Sequence, residues 1–444
     1  MQQNIIRLPG LQPVLIKQLA IRPGYQPKNF WPGTRKTIAK SLVMSLVEAR
    51  FIALAFSVAL ALPAPASADN ANVNVYGQVN VSYDMLNTGN ATGVGAQVGI
   101  SSSRVSSNSS YLGLKGSHDI GKAWSALWQM ESTVGADTGA TGGAGTTAGP
   151  SMRSSRLFDR NTYLGLSNAG WGLLLAGRHD TPYKMSTRKL DVFADGIADN
   201  RSLMGTTMAG GVVMETFDVR LSNLIAYVTP SMGGLSVSLA YANLAETNTT
   251  SKQDSVSGLS FAGMYEDGPV YTTFAYEVHT TSLKDTSTSV KAAKLGLGYK
   301  LDILDLGFAY EKSLDDFGKA TAYDAVINPC GGMKVGGNCS GHSTMYFSAR
   351  INVSANNALK VAYSKAGQVG AASIATGALQ FSMGVDHDID ERTRVYVLYT
   401  SLKNDKLVHY GLSSAASSGT DSVNATGDGG ASPSAFSFGI RHSF

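Results

Sequence analysis

Six basic residues lie at positions that would be on the polar face of β-strands whose other face is apolar. In the segment 111–115, Leu112 and Leu114 alternate with Tyr111, Gly113 and Lys115, and a period of two sends alternate side chains to opposite faces of a strand. Basic residues on the polar face perform no covalent step, but their field attracts anions and orients dipolar molecules. The six are Lys115, Arg178, Arg220, Lys294, Arg350 and Lys360.

Two of these assignments depend on the choice of the apolar face. For Arg178, we take Leu173 and Leu175 as the apolar face, which leaves Arg178 on the polar side. For Arg220, Leu221 and Ile225 have the same role. The acids that the alternation assigns to the polar face are Glu131, Glu277, Asp305, Glu311 and Asp386.

The residues of catalytic sites are not grouped in this chain. Its seven histidines are scattered, and no Gly-x-Ser-x-Gly motif occurs. A membrane-embedded hydrolase needs a Ser-His or Asp-His constellation. His387 lies between two aspartates, but it precedes a short turn predicted to be periplasmic. We therefore predict that the protein is not an enzyme and carries no cofactor.

The two cysteines, Cys330 and Cys339, lie in a glycine-rich segment. In an exported chain, cysteines so close together most often form a local disulfide, which would stabilise by about 2–3 kcal/mol. His342 follows closely and suggests zinc, but a structural zinc site takes four ligands and a fourth is missing. The prediction is a disulfide and no metal.

Sixteen segments of about ten residues alternate in this way, which predicts an all-β transmembrane barrel of sixteen antiparallel strands. Short turns alternate with long connections rich in Gly, Ser and Thr, as periplasmic turns and external loops do. Phe436, Phe438, Ile440 and Phe444 give the last segment an outward apolar face. We expect it to pair with the Val73–Val81 segment and remove the last free edge.

Residues 1–68 differ from the remainder and are predicted to be a leader. Basic residues, the apolar run Phe51–Leu62 and the Ala66-Ser67-Ala68 site indicate a signal peptide at 44–68. Residues 1–43 are interpreted as an over-extended gene start. The leader holds eight of the 36 basic and one of the 32 acidic residues, which leaves 28 and 31 in residues 69–444. This balance gives no support for nucleic-acid binding.

Several stretches resemble the general porins of β-proteobacteria and Neisseria. They are Tyr111–Gly121, Ala126–Gln129 with Glu131, Phe158–Leu166, Gly177-Arg178, Leu221–Pro230, Tyr76-Gly77 and the final Phe444. The resemblance spans 69–444 as one barrel domain. It implies a homotrimer in the Gram-negative outer membrane, in contact with lipid and lipopolysaccharide, that lets small hydrophilic solutes and ions diffuse passively. It also implies that the barrel-assembly machinery recognises Phe444 as a signal.

In the porins that the chain resembles, the third external loop folds into the barrel and forms a constriction. The corresponding segment here is Thr181–Asp218. We hypothesise that its acids face a basic wall that includes Arg178 and Lys115; the alternative is an ordinary solvated loop. The acids in question are Asp191, Asp195, Asp199 and Glu215.

Two further functions remain open at this point. One is a substrate-specific channel for anions, carboxylates or sugars, and the other is a structural or adhesin barrel closed by its own side chains. Sixteen strands leave an aqueous channel, which disfavours the closed barrel.

Overall fold

The computed structural model describes residues 72–90, 98–137, 157–209, 212–215, 217–243, 255–283, 286–314, 342–368, 376–406, 408, 410–412 and 430–444. The predicted leader at 1–68 and both cysteines, Cys330 and Cys339, lie outside these residues. No helix in the described ranges is long and apolar enough to cross a membrane.

The described residues are almost entirely β-structure. The strands are β1 (Asn72–Asn87), β2 (Ser101–Ser107), β3 (Tyr111–Gly121), β4 (Trp124–Thr133), β5 (Thr162–Asn168), β6 (Gly172–Asp180), β7 (Thr206–Ala209), β8 (Val212–Glu215), β9 (Arg220–Val228), β10 (Leu235–Asn243), β11 (Ser255–Asp267), β12 (Val270–Leu283), β13 (Thr286–Lys300), β14 (Leu304–Leu314), β15 (Ser343–Asn352), β16 (Asn357–Ala366), β17 (Ala378–Asp388), β18 (Thr393–Asn404) and β19 (Ser434–Ser443). One helical turn, α1 (Pro182–Thr187), and two short 3-10 turns, Arg188–Leu190 and Asn200–Ser202, lie between β6 and β9.

Seventeen strands form the main antiparallel sheet, and β7 and β8 form a separate hairpin. Strands β2 and β3 occupy one position in the barrel, because β2 pairs with the second half of β1 and β3 with its first half. The wall therefore has sixteen positions, which confirms the predicted strand number. The sequence prediction missed β2, since its serine-rich segment has no apolar alternation.

The barrel closes between the two ends of the chain. Gln78 to Asn87 pair in order with Ser443 to Ser434, which confirms the predicted pairing of the last strand with the first. Phe444 continues this ladder by exchanging two backbone hydrogen bonds with Gly77, at 3.0 and 3.1 Å. With β1 and β19 paired, this closing edge offers no free row of backbone groups to another chain.

Alternating exposure separates the two faces of the wall. On β12 and β13, Phe274 is 50% and Leu295 40% exposed on the outside, while the adjacent Ala275 and Lys294 are buried inside. An apolar outer surface suits hydrocarbon, and a polar inner surface suits water. The strands therefore follow from the same two-residue period that the sequence shows.

Candidate functional site

The connection between β6 and β9, residues 181–219, is called the infolded loop here. Its first turn, α1, begins with Pro182, and the hydroxyl of Thr181 accepts a hydrogen bond from the Lys184 backbone amide at 3.2 Å. Proline in the first turn and threonine at the cap are both favourable starts for a helix. The chain therefore turns sharply as soon as β6 ends.

Inward-facing side chains of the far wall hold the infolded loop. The hydroxyl of Tyr183 donates to Glu311 on β14 at 2.7 Å. The hydroxyl of Tyr346 on β15 donates to Asp191 at 2.7 Å. Tyr183, Asp191, Glu311 and Tyr346 are all buried. The third loop thus lies inside the barrel against β11 to β17, as predicted.

Glycine on the inner face of the wall permits this close packing. A Cβ atom at Gly307 would lie 2.4 Å from the Ser348 hydroxyl and 2.9 Å from the carbonyl oxygen of Leu190. A Cβ atom at Gly296 would lie 2.8 Å from the Leu190 side chain. These distances are shorter than van der Waals contact, so larger residues would push the infolded loop away from the wall.

The acids of the infolded loop are neutralised within the loop. Asp199 is fully buried, and both Arg188 and Arg201 donate to it, at 3.1 and 2.8 Å. Asp195, whose side chain is 39% exposed, contacts the same two arginines at 3.0 and 3.4 Å. Asp191 accepts bonds from the Phe193 and Asn200 amides. None of these bonds joins Asp191 or Asp199 to Arg178 or Lys115 of the predicted basic wall.

The pKa values of the two buried aspartates are shifted in opposite directions. Burial and the adjacent Asp199 carboxylate raise the pKa of Asp191 to about 6. Burial alone would also raise the pKa of Asp199, but Arg188 and Arg201 hold it below its usual range. Asp199 therefore carries the negative charge that fixes the two guanidinium groups.

The last two acidic positions of the loop have separate places. Glu215 belongs to β8, where its backbone pairs with Thr206, and its side chain lies outside the described residues. Asp218 is buried and receives the ammonium group of Lys294 at 2.5 Å. Lys294 also lies 4.2 Å from the Tyr183 ring centre. Lys294 is thus an anchor beneath the infolded loop and does not line open water.

The assignment of Arg178 to a basic wall needs correction. Leu174 is 47% exposed and Leu175 only 3%, so Leu174 is on the outer face of β6 and Leu175 on the inner face, opposite to the expectation. Arg178 shares the alternation of Leu174 and donates to the Asp159 carbonyl and the Ser222 hydroxyl at 2.8 and 2.7 Å. It is bound at the edge of the wall and contacts none of the predicted loop acids in these bonds.

The assignment of Arg220 to the inner face also needs correction, because the pairing of β6 with β9 is irregular near this residue. The pairing of β6 with β9 shifts between Gly177 and His179, and Asn223 has a φ of 53°. Such a bulge reverses the alternation beyond it. Leu221 is consequently 8% and Ile225 58% exposed. The two apolar residues that were assigned to one face of the strand therefore lie on opposite faces. Arg220 pairs with Asp180 at 3.1 Å.

Across the lumen, a row of cations and aromatic rings follows β1, β3 and the start of β5. The Lys115 ammonium lies 4.6 Å from the Tyr76 ring centre, and the Arg160 guanidinium lies 4.8 Å from the Tyr111 ring centre. Tyr76 donates to Glu131 at 2.8 Å. In the described part of the chain, Lys115 has no carboxylate partner. Its side chain is exposed to the lumen.

A second group of cations lies near the short turns. Asp386 on β17 receives Arg350, Lys360 and Arg394, at 2.8, 2.7 and 3.1 Å. Arg441 on β19 lines the same space. Sequence alternation had placed Arg350, Lys360 and Asp386 inward, but it could not show that one carboxylate binds three cations.

Comparison with known proteins agrees with this architecture. The family model for Gram-negative porins matches residues 53–407. The chain belongs to the Gram-negative porin family. Outer membrane porin protein 32 of Delftia acidovorans is 28% identical over 340 residues, which cover 76% of this chain and 85% of the relative.

Two solved structures share the fold. An anion-selective porin from Comamonas acidovorans has a TM-score of 0.64 at 22% identity and covers 84% of this chain and 100% of its own. A trimer form of OmpT, an outer membrane protein of Vibrio cholerae, has a TM-score of 0.56 at 13% identity, with 85% and 100% covered. The porin described here forms an outer-membrane channel for passive diffusion of small hydrophilic solutes, and its relatives are channels rather than enzymes.

Proposed function

We propose that this porin passes small anions more readily than cations. The observation that carries the proposal is the unequal pairing of charges in the lumen. The loop acids Asp191 and Asp199 are buried with the loop's own arginines, whereas Lys115 and Arg441 face the lumen without a carboxylate partner among the described residues. A charged lining in a narrow passage raises the local concentration of the opposite ion.

A salt-gradient experiment on the purified porin in planar bilayers tests this. With KCl at different concentrations on the two sides, the reversal potential should have the sign of chloride preference. Lys115→Glu should shift it towards potassium, because the change places a carboxylate on an exposed lumen position. Lys122→Glu is the matched control, since Lys122 lies in the β3–β4 turn. A wild-type channel that prefers potassium would refute the proposal.

A homotrimer is the proposed assembly, and an apolar depression on the outer wall supports it. Around the closing strands, Val81, Tyr83, Val397, Phe438 and Ile440 line an apolar depression on the outside of the barrel. Packing against a second copy would cover it, while lipid and lipopolysaccharide would cover the remaining outer face. Light scattering of the detergent-solubilised protein should give three chains, and a single chain would exclude this assembly.

The ends of the chain carry two further proposals. Phe444 is the proposed signal for the barrel-assembly machinery, and Phe444→Ala should lower the amount of porin in the outer membrane without changing its synthesis. Cleavage before Asp69 is the proposed processing, and Edman sequencing of the mature protein should begin there. A mature chain that begins elsewhere would contradict the predicted leader at 1–68.

A further inference from the structure

The lower vestibule is the space between residues 189–196 of the infolded loop and the end of the barrel that carries the short turns. Gly268 and Pro269 from one such turn line it, together with inward residues of β14 to β19. Its volume is about 360 Å³. It therefore lies on the periplasmic side of the constriction and has room for a small solute.

Two pairs of like charges oppose each other across neighbouring strands of this space. Arg350 on β15 is the direct partner of Lys360 on β16. Arg394 on β18 is the direct partner of Arg441 on β19. Directly opposed like charges destabilise a sheet. Two such pairs in one small space therefore indicate a requirement for positive potential that outweighs the cost to the barrel.

The acids in the vestibule compensate these cations only in part. Asp386 is the central carboxylate, bound by Arg350, Lys360 and Arg394 within 3.1 Å. Six basic and four acidic residues line the space, so two positive charges remain in excess. Asp388 pairs with Arg394 from outside this lining and reduces the excess to one. Within the described ranges, Arg441 has no carboxylate at ion-pair distance.

The surroundings strengthen these charges. The Phe193 ring of the infolded loop lies over Lys360, 4.8 Å from its ammonium group to the ring centre. Lys360 is only 8% exposed. Screening by water is weak for such partly buried charges, so an anion entering beside them gains more than it would at an open surface. Asn80 lies in the same lining; its Oδ1 accepts a hydrogen bond from the Tyr396 hydroxyl at 2.9 Å, and its amide nitrogen can donate a neutral hydrogen bond to a ligand.

We propose that the lower vestibule is a binding site for small divalent oxyanions. Arginine presents paired donors to carboxylate, sulfate or phosphate oxygens, and two groups of cations on neighbouring strands match a ligand with two negative charges. Arg441 is the principal contact, because no carboxylate competes for it among the described residues. Bound anions would occupy the periplasmic side of the constriction, so the effect of the anion on conductance would saturate as its concentration rises. This inference rests on the proposed anion preference and makes it specific.

The test is inhibition of chloride current through the whole porin in planar bilayers. Sulfate or succinate is added to both sides in KCl at constant ionic strength, and acetate is the monovalent comparison. The wild type should show a saturable decrease of conductance with either divalent anion and none with acetate. Arg441→Gln should raise the half-inhibiting concentration about five-fold or more, because a charge-assisted contact is lost. Lys300→Gln, which removes a more exposed cation of the same lining on β13, should raise it less.

Lys122→Gln is the matched control, since it removes an exposed cation of the β3–β4 turn outside this lining. It should leave the half-inhibiting concentration unchanged. Inhibition without saturation, equal inhibition by acetate, or an equal effect of Arg441→Gln and Lys122→Gln would overturn the site. A channel that prefers chloride but shows no saturable inhibition refutes the site alone. A channel that prefers potassium refutes the proposed function as well.

Discussion

The infolded loop and the lower vestibule both concentrate charge, but they arrange it in opposite ways. In the loop, Arg188 and Arg201 share the buried Asp199, so charges of opposite sign are matched within a few residues. In the vestibule, like charges oppose each other across strands, and Asp386 compensates only part of them. Matched buried charges fix a shape, whereas unmatched charges beside water produce a field. The two regions thus divide constriction and selectivity between them.

Removal of Asp199 should disrupt the matched charges of the infolded loop and have the largest effect of the variants considered. Asp199→Ala leaves Arg188 and Arg201 buried with only the half-exposed Asp195 near both. Loss of one partner of a buried ion pair costs about 3–5 kcal/mol. The loop should lose its internal shape and narrow the passage less, which single-channel recording would detect as higher and noisier conductance. Asp195→Ala is the control and should have a clearly smaller effect. Unchanged conductance in Asp199→Ala would contradict the role of Asp199 in fixing the shape of the loop.

Packing under the loop can be broken without any change of charge. Gly307→Ala places a methyl group 2.9 Å from the Leu190 carbonyl oxygen, which should cost about 1–3 kcal/mol of loop docking. We expect faster proteolysis of the loop and altered conductance. At Gly263 the nearest atom to an added Cβ lies at 3.9 Å, so Gly263→Ala should behave as wild type. Equal behaviour of the two variants would exclude close packing as the constraint.

The stability of the docked loop should depend on pH, because Asp191 titrates within it. Its folded pKa of about 6 lies above the ordinary 3.8, so protonation favours the docked loop. This contribution is full below about pH 4 and is lost as pH rises through about 6. Asp199 has a lowered pKa, so its contribution is present above about pH 4 and lost in more acidic solution. Current noise should therefore be lowest between pH 4 and 6.

A variant separates this titration from other groups. Asp191→Asn cannot ionise, so the change in current noise between pH 5 and 7 should disappear. The response below pH 4 should persist, because it belongs to Asp199. If the variant retained the full response between pH 5 and 7, another group would be responsible for it.

The sequence predicted the barrel better than the site, for a physical reason. Lipid enforces one apolar face on every strand, so the alternation in segments such as Leu112 to Lys115 identified all sixteen wall positions. Alternation failed between Gly177 and His179, where the bulge changes which residues face outward. A bulge of this kind depends on local backbone angles, such as that of Asn223. The assignment of Arg220 failed with it. Arg178 was misassigned for another reason: Leu173, Leu174 and Leu175 are consecutive, and the sequence does not show which of them faces outward.

The loop shows a second limit of sequence reasoning. The acids Asp191 and Asp199 were recognisable as a group, but their partners Arg188 and Arg201 are equally near in the sequence. Spacing alone does not tell whether such acids face their own arginines or the opposite wall. The glycines at 296 and 307 were the signal that could have located the packed side, because small inward residues permit close approach.

The central claim is that unpaired wall cations, and not the loop acids, set the ion preference. The most direct test is the reversal potential in a KCl gradient for the wild type, Asp195→Asn and the double variant Lys115→Gln/Arg441→Gln. The account predicts chloride preference in the wild type, little change on neutralising the loop acid Asp195, and a large loss of preference in the double variant. Potassium preference in the wild type, or a larger shift in Asp195→Asn than in the double variant, would contradict it.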